Sequence, residues 1–294
     1  MQSNSSSVKN KLALVLAIAS AVTVLELFGS ILSNSIALLS DAGHVFADVM
    51  AISLSLFAIG LATKQHTKQL TFGYHRAEVL AALANGITLA VIAALIVKEA
   101  YARLINPPSI DTTVLLGVAS IGLIANIVMA LLLKEARKTS INVKAAYIHV
   151  FYDAVSSIGV IVGGTIAIVT QYYAIDPIIA FIIAGLIAKS AIRILRESIH
   201  ILLEGAPSGV DLKKITAEIK NVDGVLDIHD LHVWTISSGI NASSGHVIVK
   251  DQMVSESARI IDEIDKILRI KFNVSHTTIQ IESGKDTVDI KHID

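Results

Sequence analysis

Two short stretches carry residue types that could do chemistry. "SDAGHVFADVMA" (40–51) and "YIHVFYDAVSSIG" (147–159) each contain His-x-x-x-Asp, as His44 with Asp48 and His149 with Asp153. A spacing of four stacks imidazole and carboxylate on one face of a helix. Two such faces turned toward each other supply two imidazole nitrogens and two carboxylates, a donor set suited to tetrahedral Zn²⁺. The chain has no cysteine, so disulfides, thiol catalysis and Cys-type zinc sites are excluded, and any metal must be held by His, Asp and Glu.

Charge sharpens that reading. Two carboxylates and one divalent cation sum to zero, so the loaded site suits a low dielectric. Emptied, the site holds two negative charges that protons would relieve. Zinc needs deprotonated ligands, and imidazole takes up a proton readily once the metal leaves. A site that alternates between metal and protons is the chemistry of an antiporter. Asp41 lies three residues before His44, shares its face, and is a candidate to line the route or relay protons. A lone membrane His or Asp often serves only to bond across helices, but a second copy on a separate segment weakens that explanation. Glu26 and Asn126 read as packing or vestibule groups.

Both motifs sit inside long apolar runs. The 294 residues are 53% hydrophobic and 17% charged, against about 45–50% and about a quarter for soluble domains. Spanning a bilayer core of about 30 Å takes roughly 20 apolar residues in helix. Six runs qualify: 12–33, 36–62, 79–101, 113–134, 145–170 and 175–197. The first is too long for a signal peptide and lacks a small-residue cleavage site, so a retained helix is expected. Placing an Asp at a membrane-helix centre costs about 2.5–3.5 kcal/mol, and such groups usually mark an ion or proton pathway. Lys9 and Lys11, then Lys64, Lys68 and Arg76, then Lys134, Arg137, Lys138 and Lys144, and finally Arg193 and Arg196 fall on one side, while the opposite loops hold only Lys98 and Arg103. The positive-inside rule places both termini in the cytoplasm.

After "EGAP" (204–207) the pattern changes. A helix is expected over 208–222 with Asp211 early, strands over 228–236 and 245–249 separated by a Gly/Ser/Asn turn, an amphipathic helix over 255–272 and a third strand over 276–282. The fold class expected is membrane α-helical: a cytosolic tail over 1–11, six transmembrane helices over 12–203, and a small cytosolic α+β domain of order αββαβ over 204–294. Strand alternation puts His229 and Leu231 on one face, Asp230 and His232 on the other, so His229 and His232 are not expected to share an ion; His232 beside Trp234 could simply pack.

A net charge of −1 excludes a strongly basic nucleic-acid binder. The chain has no HExxH, GxSxG or P-loop lysine motif, so an enzyme has little to stand on, no nucleotide is expected, and any pumping must draw on an ion gradient. The competing class is a zinc-responsive membrane sensor, which would bind metal without moving it.

"SNSIALLSDAGHVFADVMA" (33–51), "TFGYHRAEVLAAL" (71–83), the second HxxxD, "SIHILLEGAP" (198–207), "IHDLHVWTISSGINASSGHVIV" (228–249) and "HTTIQIE" (276–282) together resemble the cation diffusion facilitator family, bacterial cobalt–zinc–cadmium resistance type. The resemblance implies a homodimeric, six-helix, proton-coupled exporter in the bacterial plasma membrane, with a metallochaperone-like cytosolic domain. It implies a central site on helices 2 and 5 at His44, Asp48, His149 and Asp153, with His-Asp on both helices going with zinc; Cd²⁺ or Co²⁺ could ride along. It implies a further zinc set in the tail at His229, His246, His276 and Glu282, and a charge interlock between Arg76 and Glu204 at the membrane edge. The loop before residue 145 lacks the histidine-rich tract of vesicular relatives. His66 and His75 do not keep the ligand spacing of some relatives, so no metal site is expected in that loop.

Overall fold

The computed structural model describes residues 2–62, 64, 67–134 and 141–284. The loop histidine His66 and the basic residues Arg137 and Lys138 lie outside them. The elements run α1 (Gln2–Ser33), α2 (Ile36–Ala62), α3 (Ala77–Ile105), α4 (Thr112–Leu133), α5 (Ile141–Thr170), α6 (Ile175–Leu202), α7 (Leu212–Lys220), β1 (Val225–Ser237), β2 (Ile240–Val249), α8 (Val254–Phe272) and β3 (His276–Ser283). Six helices among the described residues are long and apolar enough to cross a membrane. α1 begins ten residues before its apolar run, three others extend theirs by up to six and α4 is shifted by one, because once nucleated a helix propagates into flanking polar residues at little cost. The chain divides into two compact units, one of residues 1–57 and 82–195, the other of 58–81 and 196–294.

In the first unit, α4 packs against α1 and α5. Small and branched residues fill a core of Ile36, Ala47, Leu89, Ala93, Leu115, Ala119, Val160, Ala184 and Ile187. Large apolar side chains such as Phe28, Leu32, Leu95, Ile124, Leu131, Val162 and Ile182 stay exposed on the helices' other faces. Contiguous exposed apolar surface of this kind is what a lipid-facing bundle presents. Gly122 on α4 lets α1 come close: a Cβ there would collide with the Glu26 carboxylate.

In the second unit, Asp211 caps α7 by accepting from Lys213 N–H at 2.9 Å. β1 and β2 pair antiparallel, β2 and β3 parallel, giving the order β1-β2-β3. Ile260, Ile264 and Leu268, spaced by four on α8, pack with Ile215 and Ile219 of α7 over Ile228, Val233 and Val247 of the sheet. Asn273, with φ +55, ends α8 in the left-handed region.

Two strand expectations are corrected. The expected turn before residue 245 is mostly strand: only Ser238 and Gly239, the latter at φ +76, turn the chain, and β2 begins at Ile240. Its polar residues Asn241 and Ser243 are buried, and Asn241 accepts from Thr235 and donates to the Asn273 carbonyl. The alternation along "IHDLH" is also broken. The ladder shifts register between His229 and His232, with Asp230 at φ +51. Such a bulge re-aims a side chain, and Asp230 comes within reach of both His232 and His246.

Candidate metal centre

α2 carries His44 and Asp48 and α5 carries His149 and Asp153. Their faces meet. His149 Nε2 lies 3.1 Å from Asp48 Oδ2 and 3.7 Å from Asp153 Oδ2, while His44 reaches Asp48 at 3.7 Å and Asp153 at 3.8 Å. Ligand atoms of His44, Asp48 and Asp153 all lie within 4.8 Å of one another, and the two imidazole centroids are 6.0 Å apart. Four ligands held tetrahedrally at about 2.0–2.1 Å from Zn²⁺ would sit about 3.3 Å from each other; the four imidazole–carboxylate separations, 3.1–3.8 Å, are on that scale, while His149 stands outside the set whose ligand atoms all lie within 4.8 Å of one another.

These groups do not fully satisfy one another. His44 Nδ1 and Asp153 Oδ1 are buried without a hydrogen-bond partner among the described residues, and Asp48 Oδ2 meets His149 Nε2 across the helices at 3.1 Å. Buried polar atoms are nearly always partnered, so a convergent set of unpartnered donors is chemically suited to an ion. Asp48, His149 and Asp153 line a cavity of about 710 Å³ that is otherwise mostly apolar.

Asp41 faces the same helix pair but is engaged. It accepts from Ser156 Oγ at 2.6 Å and from Ser157 Oγ at 3.2 Å, tying α2 to α5. Asn126 Nδ2 approaches Ser157 Oγ at 3.4 Å, which brings α4 into the network. Glu26 is 1% exposed and lies against Gly122. The two serines were not singled out by the sequence, although Ser157 follows Asp153 by four residues.

In the second unit, His229, His246 and Glu282 converge, their ligand atoms within 4.8 Å of one another. Glu282 takes His229 Nε2 at 3.0 Å on one oxygen and His246 Nδ1 at 2.9 Å on the other. Burial works to raise the Glu282 carboxyl, but the His229 hydrogen bond and the two imidazoles outweigh it and hold it below the usual range. Asp230 Oδ2 stands 3.9 Å from His246 Nε2, and its other oxygen meets His232 Nε2 at 3.0 Å. His276 is not brought into this cluster. It pairs with Ala242, whereas His246 pairs with Gln280, an offset of four residues or about 13 Å along the strand. Its ring packs edge-on against Phe72 at 5.8 Å, and both line a cavity of about 330 Å³ with His75. Arg76 Nη2 and Glu204 Oε1 are 2.9 Å apart, both largely exposed.

Residues 12–203 match the profile of the family described as "Cation efflux transmembrane domain". The chain belongs to this cation efflux family. Residues 207–284 match "Cation efflux protein, cytoplasmic domain", so the resemblance to the cation diffusion facilitators read from the sequence holds, and the chain is a multi-pass membrane transport protein. It is 40% identical to the "Cadmium, cobalt and zinc/H(+)-K(+) antiporter" of Bacillus subtilis, over 88% of this chain and 84% of that relative. It is 37% identical to "Metal cation efflux system protein CzcD" of Cupriavidus metallidurans, over 93% and 86%. With "Zinc transporter ZitB" of Yersinia pestis the identity is 35%, over 92% and 87%.

Proposed function

We propose that the protein exports Zn²⁺ from the bacterial cytoplasm in exchange for protons, with Cd²⁺ and Co²⁺ as further cargo, and that His44, Asp48, His149 and Asp153 hold the ion in transit. The carrying observation is the cross-pairing of the two HxxxD faces, each imidazole within 3.8 Å of the carboxylate on the other helix. Imidazole together with carboxylate favours zinc over magnesium or manganese. The loaded site is electrically neutral. On the far side of the membrane, protons take the place of the cation on the same groups, so metal and protons exclude each other. The names of the relatives support divalent-metal cargo and antiport; one of them names potassium beside the proton.

Residues 12–203 form the transport domain in this reading, with 1–11 a cytosolic tail and 204–294 a cytosolic regulatory domain through which two copies pair. The Lys and Arg distribution supports cytoplasmic termini, and the bacterial relatives support an inner-membrane location. Zinc on His229, His246 and Glu282 would tighten the paired tails; Asp230 Oδ2 stands 3.9 Å from His246 beside that set.

The test is flux through the purified protein in proteoliposomes, with a zinc dye inside and a pH dye reporting protons. Zinc entry with opposite proton movement is expected, and repeating it with and without a potassium gradient identifies the counter-ion. Zinc binding with no flux would replace the exporter with a sensor.

A further inference from the structure

The start of α2, the helix that carries His44 and Asp48, is capped from another helix. The first N–H groups of a helix have no partner within it. Here Ser35 N–H bonds Ser30 O at 3.2 Å, and Leu38 N–H bonds Ser35 Oγ at 3.1 Å. The two donors between them, Ile36 N–H at 2.7 Å and Ala37 N–H at 3.3 Å, both go to the carboxylate of Asp176. The Ser35 hydroxyl donates to that carboxylate too. Asp176 lies in the first turn of α6, 140 residues further on, and is 5% exposed. An anion at a helix N-terminus also meets the positive end of the helix dipole. Arg103 of α3 completes the joint by donating to the carbonyl of Asn34 at 2.6 Å, at the tight turn where Asn34 adopts φ +57.

We propose that Asp176 is a positioning residue for cation transport: its carboxylate fixes the rotation and axial register of α2 against α6, and thereby where His44 and Asp48 stand. The inference rests on the reading of these two residues as cargo ligands. His44 lies eight residues and Asp48 twelve beyond Ile36, about 12 and about 18 Å along the helix axis. A rotation of α2 by about 10° would carry atoms at the helix periphery by about 1 Å, whereas metal–ligand distances tolerate about 0.2 Å. One helix cannot drift without spoiling a site shared with another.

Full-length Asp176→Ala and Asp176→Asn, reconstituted beside wild type and Asp48→Ala, test it. Loss of groups that orient metal ligands costs about 10–100-fold in metal affinity. Asp176→Ala is therefore expected to raise the KM for zinc at least about tenfold per folded transporter and to shift the zinc-to-cadmium rate ratio. Asp176→Asn, which keeps one carbonyl acceptor, should fall between alanine and wild type. A purely structural role would lower the yield of folded protein and leave both quantities alone. Wild-type KM and metal ratio in folded Asp176→Ala overturn the proposal; if that variant does not fold, the same values in Asp176→Asn overturn it. Flux in wild type, lost in Asp48→Ala but unaltered by the Asp176 changes, removes only the positioning role. No zinc flux in wild type removes the transport reading itself.

Discussion

His149 Nε2 stands 3.1 Å from Asp48 on the neighbouring helix, nearer than its 3.7 Å to Asp153 one turn along its own. The tightest contact in the constellation is thus between helices, so the two HxxxD faces meet each other. On the proposed reading, removing either carboxylate leaves a divalent cation with half its compensating charge and three donors in a half-buried site. Asp48→Ala and Asp153→Ala should each lower zinc-driven proton flux by more than about 100-fold, above the range for merely orienting groups. Retained flux in either variant, measured in proteoliposomes, refutes the assignment.

His44→Asp converts the donor set from two imidazoles and two carboxylates to one and three. Cd²⁺ is larger than Zn²⁺ and takes more ligand atoms, and a third carboxylate, able to bind through two oxygens, loosens the site's fit to small tetrahedral Zn²⁺. The variant should transport cadmium at a rate nearer that of zinc than wild type does. An unchanged zinc-to-cadmium ratio in competition uptake would count against His44 as the selector.

The helix positions and the two HxxxD faces were legible because both rest on local spacing. An apolar run of about 20 residues announces a membrane helix, and a four-residue spacing sets His44 over Asp48 whatever surrounds them. Three features were not legible. Asp176 reads as the acidic first turn of α6, but its hydrogen bonds go to α2, a long-range choice no window reveals. Asp41 reads as lining the route or relaying protons, but the hydroxyls of Ser156 and Ser157 that bond it come from α5, which local spacing does not reveal. The bulge at Asp230 defeated strand alternation, since period-two reasoning assumes an unbroken ladder.

Zinc in the tail separates the converging residues from the one set apart. His246→Ala and Glu282→Gln each take a donor from a group whose ligand atoms lie within 4.8 Å of one another. Either should lower zinc binding by the cytosolic portion at least about tenfold, whereas His276→Ala should leave it within about twofold. Calorimetric titration of the metal-stripped protein on an Asp48→Ala background isolates this site. Equal losses from all three changes would mean that His276 shares the ion.

The Arg76–Glu204 pair closes at 2.9 Å but is largely exposed. Exposed pairs contribute about 0–1 kcal/mol, so its value lies in geometry at the end of α6, where Glu204 takes φ +60. Arg76→Ala and Glu204→Ala should each reduce transport and the dimer fraction with little loss of thermal stability. The double reversal Arg76→Glu with Glu204→Arg should recover part of both. Dimer formation and transport untouched by either alanine would make the contact incidental.

Asp227 at the start of β1 meets Lys220 at the end of α7 at 2.7 Å. The Lys220 hydrogen bond, then the Ile228 backbone N–H, hold its carboxyl below the ordinary aspartate value. A depressed carboxyl favours folding while ionised, so its contribution is complete above the unfolded value of about 3.9 and is lost as pH falls through the lower folded one. The pair is half exposed, and solvent screening keeps its contribution below about 1 kcal/mol. Trp234, the chain's single tryptophan, lies on the same strand and reports unfolding of this unit by fluorescence. Asp227→Asn should therefore unfold slightly earlier than wild type at pH near neutrality, with the difference closing only in acid below about 3.9. A gap that stays constant from neutral pH into that acid range would show that the charge of Asp227 does not stabilise the join of α7 to β1.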